Sequence, residues 1–278
     1  MDAAADSTPT AAGASAKWRL FLKVLPLTAL FALAKLAVHA SGFEPWEFNS
    51  LTGSLFGAAT FVIAFVLSGT LADYNACEDL MLQLINAVEA IDDINRYLGR
   101  LQPHLNQTTL SQSLADLLGQ IRQWLLNDGP FDQVQRQLDQ LNSSLADRRR
   151  RSDDSVCERA LPELAKIRLV LTKMAGNRDS DFLGPAYAML EVFLAGSVMA
   201  LLLIGSERFT ENVVVSCFLF TSFTYLLLLI RDLDNPFQYD GSSAVDVDLS
   251  GLSACRDRLL QPTTVAEQAP GVWPSPPS

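Results

Sequence analysis

Histidine is almost absent from this sequence: His39 and His104 are the only two among 278 residues. So little imidazole leaves scant material for a histidine metal site or a Ser-His-Asp triad. Cysteine is scarce too. Cys77, Cys157, Cys217 and Cys255 lie far apart with no CxxC pair, so they read as free buried or interfacial thiols. Positive charge is also short, with 21 Lys and Arg against 31 Asp and Glu, a net charge of −10 and a pI near 4.7. That balance argues against a nucleic-acid partner, which needs bases clustered over phosphates. Only 19% of the residues are charged while 49% are hydrophobic, and the mean hydropathy is +0.18, a composition half membrane and half soluble. No cluster of His, Cys or acids has catalytic spacing, so neither an enzyme nor a cofactor is expected.

What the chain does have is long apolar runs. A helix crosses the ~30 Å hydrocarbon core with about 20 such residues, because only a helix satisfies its own backbone polar groups there. Leu20 to Val38 is the first run, preceded by Lys17, Trp18 and Arg19 and followed by a linker to Ser50. A signal peptide is the alternative, but the run is long for one, lacks a clean cleavage site and contains Pro26 and Lys35. Leu51 to Leu71 carries no charge, Phe182 to Gly205 only Glu191, and Asn212 to Ile230 ends sharply at Arg231 and Asp232. The expected fold is therefore an all-α membrane protein with four transmembrane helices in two hairpins and a helical insertion between them. Lys and Arg avoid residues 39 to 50 and are sparse in 206 to 211, whereas the N-terminal flank and residues 73 to 181 hold most of them. The positive-inside rule then places both termini and the central region on the cytoplasmic side.

The chain divides accordingly into a disordered start (1 to 16), a first hairpin (17 to 72), a cytoplasmic helical region (73 to 181), a second hairpin (182 to 231), a cytoplasmic segment (232 to 260) and a disordered tail rich in proline (261 to 278). From Asp73 to Gly99 apolar residues recur at helical spacing, so the second span continues as a helix beyond the membrane. Pro103 interrupts it. Helices follow over Leu110 to Leu126 and Phe131 to Leu145, separated by the turn residues Asn127 to Pro130. A further helix, Ala160 to Lys173, is expected to end at Gly176 and Asn177. Arg148 to Arg151 read either as a site for anionic headgroups or as a solvated helix face. Val245 to Leu249 alternate like a short extended segment, and Leu252 to Leu260 suit a last helical turn or two.

The second span mixes small and aromatic residues. Phe61 and Phe65, spaced i and i+4, share a face; they suit an apolar pore constriction that gates by dewetting, or ordinary helix packing. Just beyond it, Asp73, Tyr74, Asn75, Glu78 and Asp79 gather acids that either select cations at an inner mouth or merely end the span. Glu191 is the one acid embedded in a span, and such residues face a bundle interior or water. Lys35 is its counterpart on the first span, with no pairing between them implied.

Two pieces of sequence carry a family resemblance. Residues Phe61 to Asp79 form a second span running into an aromatic and acidic helix, and Asn235, Pro236 and Phe237 follow the fourth span with Asp240, Gly241 and Val247 to Leu249 after them. With the two hairpins and the helical insertion, this resembles the bestrophin channels, and above all their divergent bestrophin-like relatives in bacteria and algae. The resemblance implies a homo-oligomer, a pentamer around one axial pore, with bulky apolar residues of the second helix forming the neck. Carried over, these are Phe61 and Phe65, with Gly57 standing where the family has another bulky residue. It also implies contacts with membrane lipids and passage of inorganic ions, anions (chloride) being the family's usual cargo. Animal bestrophins clasp calcium with a dense acidic run after the Pro-Phe segment; here only Asp240, Asp246 and Asp248 are scattered there, so calcium gating is not implied. The reading is an ion channel. The alternative is a non-conducting membrane scaffold or sensor that signals through the helices of 73 to 181.

Overall fold

The computed structural model describes residues 11–102, 107–127, 129–152, 158–179, 184–234, 236, 237, 239 and 245–261. Eight long helices carry them: α1 (Ala11–Ala40), α2 (Ser50–Leu101), α3 (Thr108–Asn127), α4 (Phe131–Ser152), α5 (Ala160–Asp179), α6 (Gly184–Leu203), α7 (Phe209–Leu233) and α8 (Ser250–Leu260). Two strands of two residues each, β1 (Trp46–Glu47) and β2 (Ile204–Gly205), pair in parallel, Trp46 opposite Ile204 and Glu47 opposite Gly205. This pairing departs from a purely helical expectation. It satisfies backbone groups of the linkers that precede α2 and follow α6.

Local chemistry sets the helix ends. α1 stops because Gly42 adopts a left-handed φ of +69° and its N–H returns to the His39 carbonyl. α2 starts at a reciprocal cap: Asn49 Oδ1 accepts from the N–H groups of Leu51 and Thr52, and Thr52 Oγ1 accepts from Asn49 N–H. α2 then runs 52 residues without a break, about 78 Å at the usual rise. That is more than twice a ~30 Å hydrocarbon core, so most of the helix lies beyond any membrane it crosses.

Three boundaries differ from expectation. α1 begins at Ala11, inside the start expected to be disordered, because alanine is the strongest helix former. α4 continues past Leu145 to Ser152, and Arg148 on the added turns donates to Asn95 Oδ1. α5 passes through Gly176 and Asn177 to Asp179, with the Asn177 amide donating to Cys77 Sγ at 3.3 Å instead of ending the helix. Residues 245 to 249 form no strand. Pro103, residues 1 to 10 and residues 262 to 278 lie outside the described residues.

The chain forms two compact units. The first comprises residues 1–84, 125–129 and 166–248, the second 85–124, 130–165 and 249–278, and α2 supplies both. The first unit buries Phe31, Phe56, Ala59, Ile63, Leu190, Leu201, Phe223 and Ile230 as one cluster. α1 from Leu20 to Ala40, α2 and α7 are each long and apolar enough to cross a membrane, and the described apolar part of α6, Tyr187–Leu203, is shorter. Separately, the second unit buries Leu114, Leu117, Leu118, Ile121, Leu138 and Leu141. It also holds a polar knot. Asp92 accepts from Arg96 Nε and Ser111 Oγ, each at 2.6 Å, and the Asn95 amide donates to the Gln107 carbonyl at 2.9 Å.

Candidate functional site

Phe61 and Phe65 stand on the open side of α2, 72% and 73% exposed. Around them the same side presents Ser54, Gly57, Ala58, Ala64, Ser68, Gly69 and then Ala72, Asn75 and Asp79, recurring every three or four residues. A Cβ added at Gly57 would meet nothing. Packing within the chain therefore does not account for the two phenylalanines; this side of α2 meets lipid, water or another chain. The opposite side, with Phe56, Ala59 and Ile63, enters the core.

Further along, Asp73, Glu78 and Asp79 are exposed and Tyr74 is half-buried, its hydroxyl donating to Glu78 Oε1 at 3.2 Å. Burial, then Glu78 and Asp246, push the Tyr74 phenol up to about 12. Asp73, Glu78 and Asp79 thus follow directly on the exposed stripe. Pro236 and Phe237 are buried, Phe237 completely. The Pro236 carbonyl accepts from Val247 N–H at 3.1 Å, and the Tyr239 hydroxyl donates to the Val247 carbonyl at 2.8 Å. Burial, with Asp246 and Asp248 nearby, raises the Tyr239 phenol as well. The Pro-Phe segment is in this sense a structural latch. Asn235 and Asp240 lie outside the described residues. Among the described residues, no group of three or more His, Cys, Asp and Glu could hold a metal ion.

Glu191 is exposed on α6 rather than turned into the bundle. Lys35, by contrast, is buried with no exposed surface; its ammonium donates to the carbonyls of Leu202 at 3.1 Å and of Ile204, and stands 4.0 Å from Glu44 Oε1. It thereby satisfies carbonyls at and just past the end of α6, where the helix dipole favours a cation. Glu44 also meets His39 Nδ1 at 3.1 Å, and the His39 ring stacks on Phe209 with centroids 3.7 Å apart. A side chain at Gly205 would strike Glu44, which explains the glycine. Sequence reasoning flagged Lys35 but missed Glu44, because nothing in the spacing distinguishes a linker acid as its partner.

These features define a class: an all-α integral membrane protein whose crossing helices leave one face of α2 open. No protein-family model matches the chain, and no curated protein matches it. Solved structures do. A bacterial bestrophin homologue from Klebsiella pneumoniae is 15% identical with a TM-score of 0.70, covering 86% of this chain and 97% of its own. A variant of that homologue gives 17% identity and 0.68 over the same shares. A crystal structure described as a membrane protein gives 14% and 0.72, again over 86% and 97%. The fold of this chain is bestrophin-like.

Proposed function

We propose that the chain is one subunit of a homo-oligomeric ion channel, a pentamer by its likeness to bestrophins, in which α2 of each subunit lines an axial path. The observation that carries this is the exposed stripe of α2, where small residues and hydroxyls flank Phe61 and Phe65. Lipid alone would accept continuous large apolar residues; alternating small, polar and aromatic side chains suits an ion path narrowed at one level. Repeated around an axis, Phe61 and Phe65 form the neck and Gly57 widens it one turn earlier. Each subunit crosses the membrane four times, with both termini and the helices of 73 to 181 in the cytoplasm. Asp73, Tyr74, Glu78 and Asp79 then stand at the inner mouth, while Pro236 and Phe237 brace the chain after the last span. The likeness makes anions, chloride first, the expected cargo. The exposed acids support a second reading, cation passage, because a ring of carboxylates repels anions.

The test is the purified chain in planar bilayers, with its mass measured intact. Expected are a pentameric mass, currents, and larger currents in the Phe61→Ala, Phe65→Ala double variant. A monomer or dimer, or silence from both proteins, removes the channel reading and leaves a scaffold or sensor. The reversal potential under a KCl gradient separates chloride from potassium.

A further inference from the structure

Beyond the apolar part of α2, this helix and α5 each bury one side and leave the other open. The buried residues are Cys77, Leu80, Met81 and Leu84 on α2 and Ile167, Val170, Leu171 and Met174 on α5. The helices touch where the Asn177 amide donates to Cys77 Sγ. The first compact unit leaves α2 at Leu84 and takes up α5 again at Lys166. With Asn177 beside Cys77 and Lys166 entering where Leu84 leaves, the two run antiparallel.

Their open sides carry opposite charge. From Ser50 to Asn95 α2 has the acids Asp73, Glu78, Asp79, Glu89, Asp92 and Asp93 and no Lys or Arg, whereas from Lys166 to Arg178 α5 has four bases, Lys166, Arg168, Lys173 and Arg178, and no acid. On α2, Leu71, Asn75, Glu78 and Leu82 share one exposed line, spaced i, i+4, i+7 and i+11. It lies about a quarter turn from the line of Phe61, Phe65 and Asp79. On α5, Leu169, Thr172, Lys173 and Gly176 form another exposed line. Leu82 is 59% and Leu169 56% exposed, and a Cβ added at Gly176 would meet nothing. Neither Glu78 nor Lys173 has an ion-pair partner among the described residues. Lipid does not cover these leucines: about 20 residues cross the hydrocarbon core, and Leu82 stands about 16 Å beyond Leu71, where the apolar run of α2 ends.

A ring of identical copies joins two different faces of the chain, so these must complement each other. Rotation about an axis along the membrane normal preserves height, which keeps α2 of one copy antiparallel to α5 of the next, at the levels the two have within a chain. Equal steps from Cys77 and Asn177 bring Leu82 level with Thr172, and Glu78 level with Gly176. Leu169 then lies about 4.5 Å from the level of Leu82, and Lys173 as far from that of Glu78. Side chains of these lengths span such an offset.

We infer that Leu71, Glu78 and Leu82 of α2 dock against Leu169, Lys173 and Gly176 of α5 in a second copy of the chain. Leucine meets leucine, Glu78 pairs with Lys173, and Gly176 lets the backbones approach. The charges fix which face meets which, since like faces repel. The inference rests on the homo-oligomer proposed above and not on conduction.

The test is the intact mass of the full chain in non-ionic detergent across a dilution series. Glu78→Lys and Lys173→Glu are each expected to raise the concentration at half-assembly at least tenfold, and the two together to restore it to within about threefold of the native value. Circular dichroism shows whether each variant keeps its helix content. Should a charge reversal unfold the chain, cross-linking decides: Leu82→Cys with Leu169→Cys, treated with bismaleimidoethane, is expected to give a ladder of covalent multimers, and each single cysteine variant no more than the native chain gives. A native oligomer indifferent to both reversals, a double reversal as weak as the single ones, or a cross-link confined within one chain overturns this interface. Dimers from a single cysteine variant do so as well, because that face would then meet itself. A native chain that is monomeric removes the homo-oligomer itself.

Discussion

The two ends of α2 obey opposite rules within one unbroken helix. In its first turns Phe61 and Phe65 are nearly three-quarters exposed, while Thr70 is buried and bonds back to the Val66 carbonyl. From Ile85 onward Val88, Ile91 and Leu98 are buried and Asp93, Tyr97 and Arg100 face outward. The polar residues buried there, Asp92 and Asn95, have partners from α3 and α4. In water, burying apolar surface drives the helix into a core. In a bilayer that drive disappears, since lipid tails are as apolar as leucine, and helices associate through close packing and polar contacts. The same backbone can leave Phe61 and Phe65 outward at one end, with Phe56 and Ile63 turned inward beside them, while at the other end Val88, Ile91 and Leu98 are buried.

Substitutions test how sharp that division is. Lys35→Ala should have the largest effect, since it leaves Glu44 and two helix-end carbonyls without their cation; removing one member of a buried pair costs about 3–5 kcal/mol. Reversible unfolding in detergent measures it, and a loss under about 1 kcal/mol would contradict the buried ion site. Next comes Leu114→Ala in the second unit, expected to cost about 2–5 kcal/mol. Phe65→Ala, a comparable truncation on the exposed stripe, should stay within about 0.5 kcal/mol. Equal losses at the two positions would erase the contrast between the regions. Asn95→Ala should cost about 1–3 kcal/mol by removing the donor to the Gln107 carbonyl and the side-chain acceptor that Arg148 meets on α2. Following the exchange of amide hydrogens in α3 would register it, and unchanged protection would count against the knot.

The smallest effect is one of pH. Burial, aided by Glu89, pushes the Cys255 thiol from its ordinary value near 9 up to about 11. A raised thiol favours the folded state while it stays neutral. That contribution is complete below pH 9 and fades as the pH rises through about 11. Cys255→Ala should flatten the alkaline decline of stability in this interval; an unchanged slope assigns the decline to other groups.

Much of the architecture was legible because its signals are local. Apolar length marks the spans, and the absence of breakers after Leu71 marks the extension of α2 past them. Helical spacing puts Leu114, Leu118, Ile121 and Leu125 on one face, and the structure buries that face. The boundaries that moved are those where a distant partner outweighed a local stop. Asn177 reaches Cys77, a hundred residues away in sequence, and Arg148 reaches Asn95. Phe61 and Phe65 could be placed on one face from their spacing, but only the packing of Phe56, Ala59 and Ile63 decided that this face is the open one.

By itself the sequence determined that this is a helical membrane protein with a long helical body between its apolar runs, because hydropathy and period are properties of consecutive residues. Only the tertiary structure decided that Lys35 meets Glu44 and not Glu191, that two linkers pair as β1 and β2, and that α1 and α7 leave an apolar groove between them. Those are meetings of residues far apart in the chain, and nothing in their spacing encodes which partner each will find.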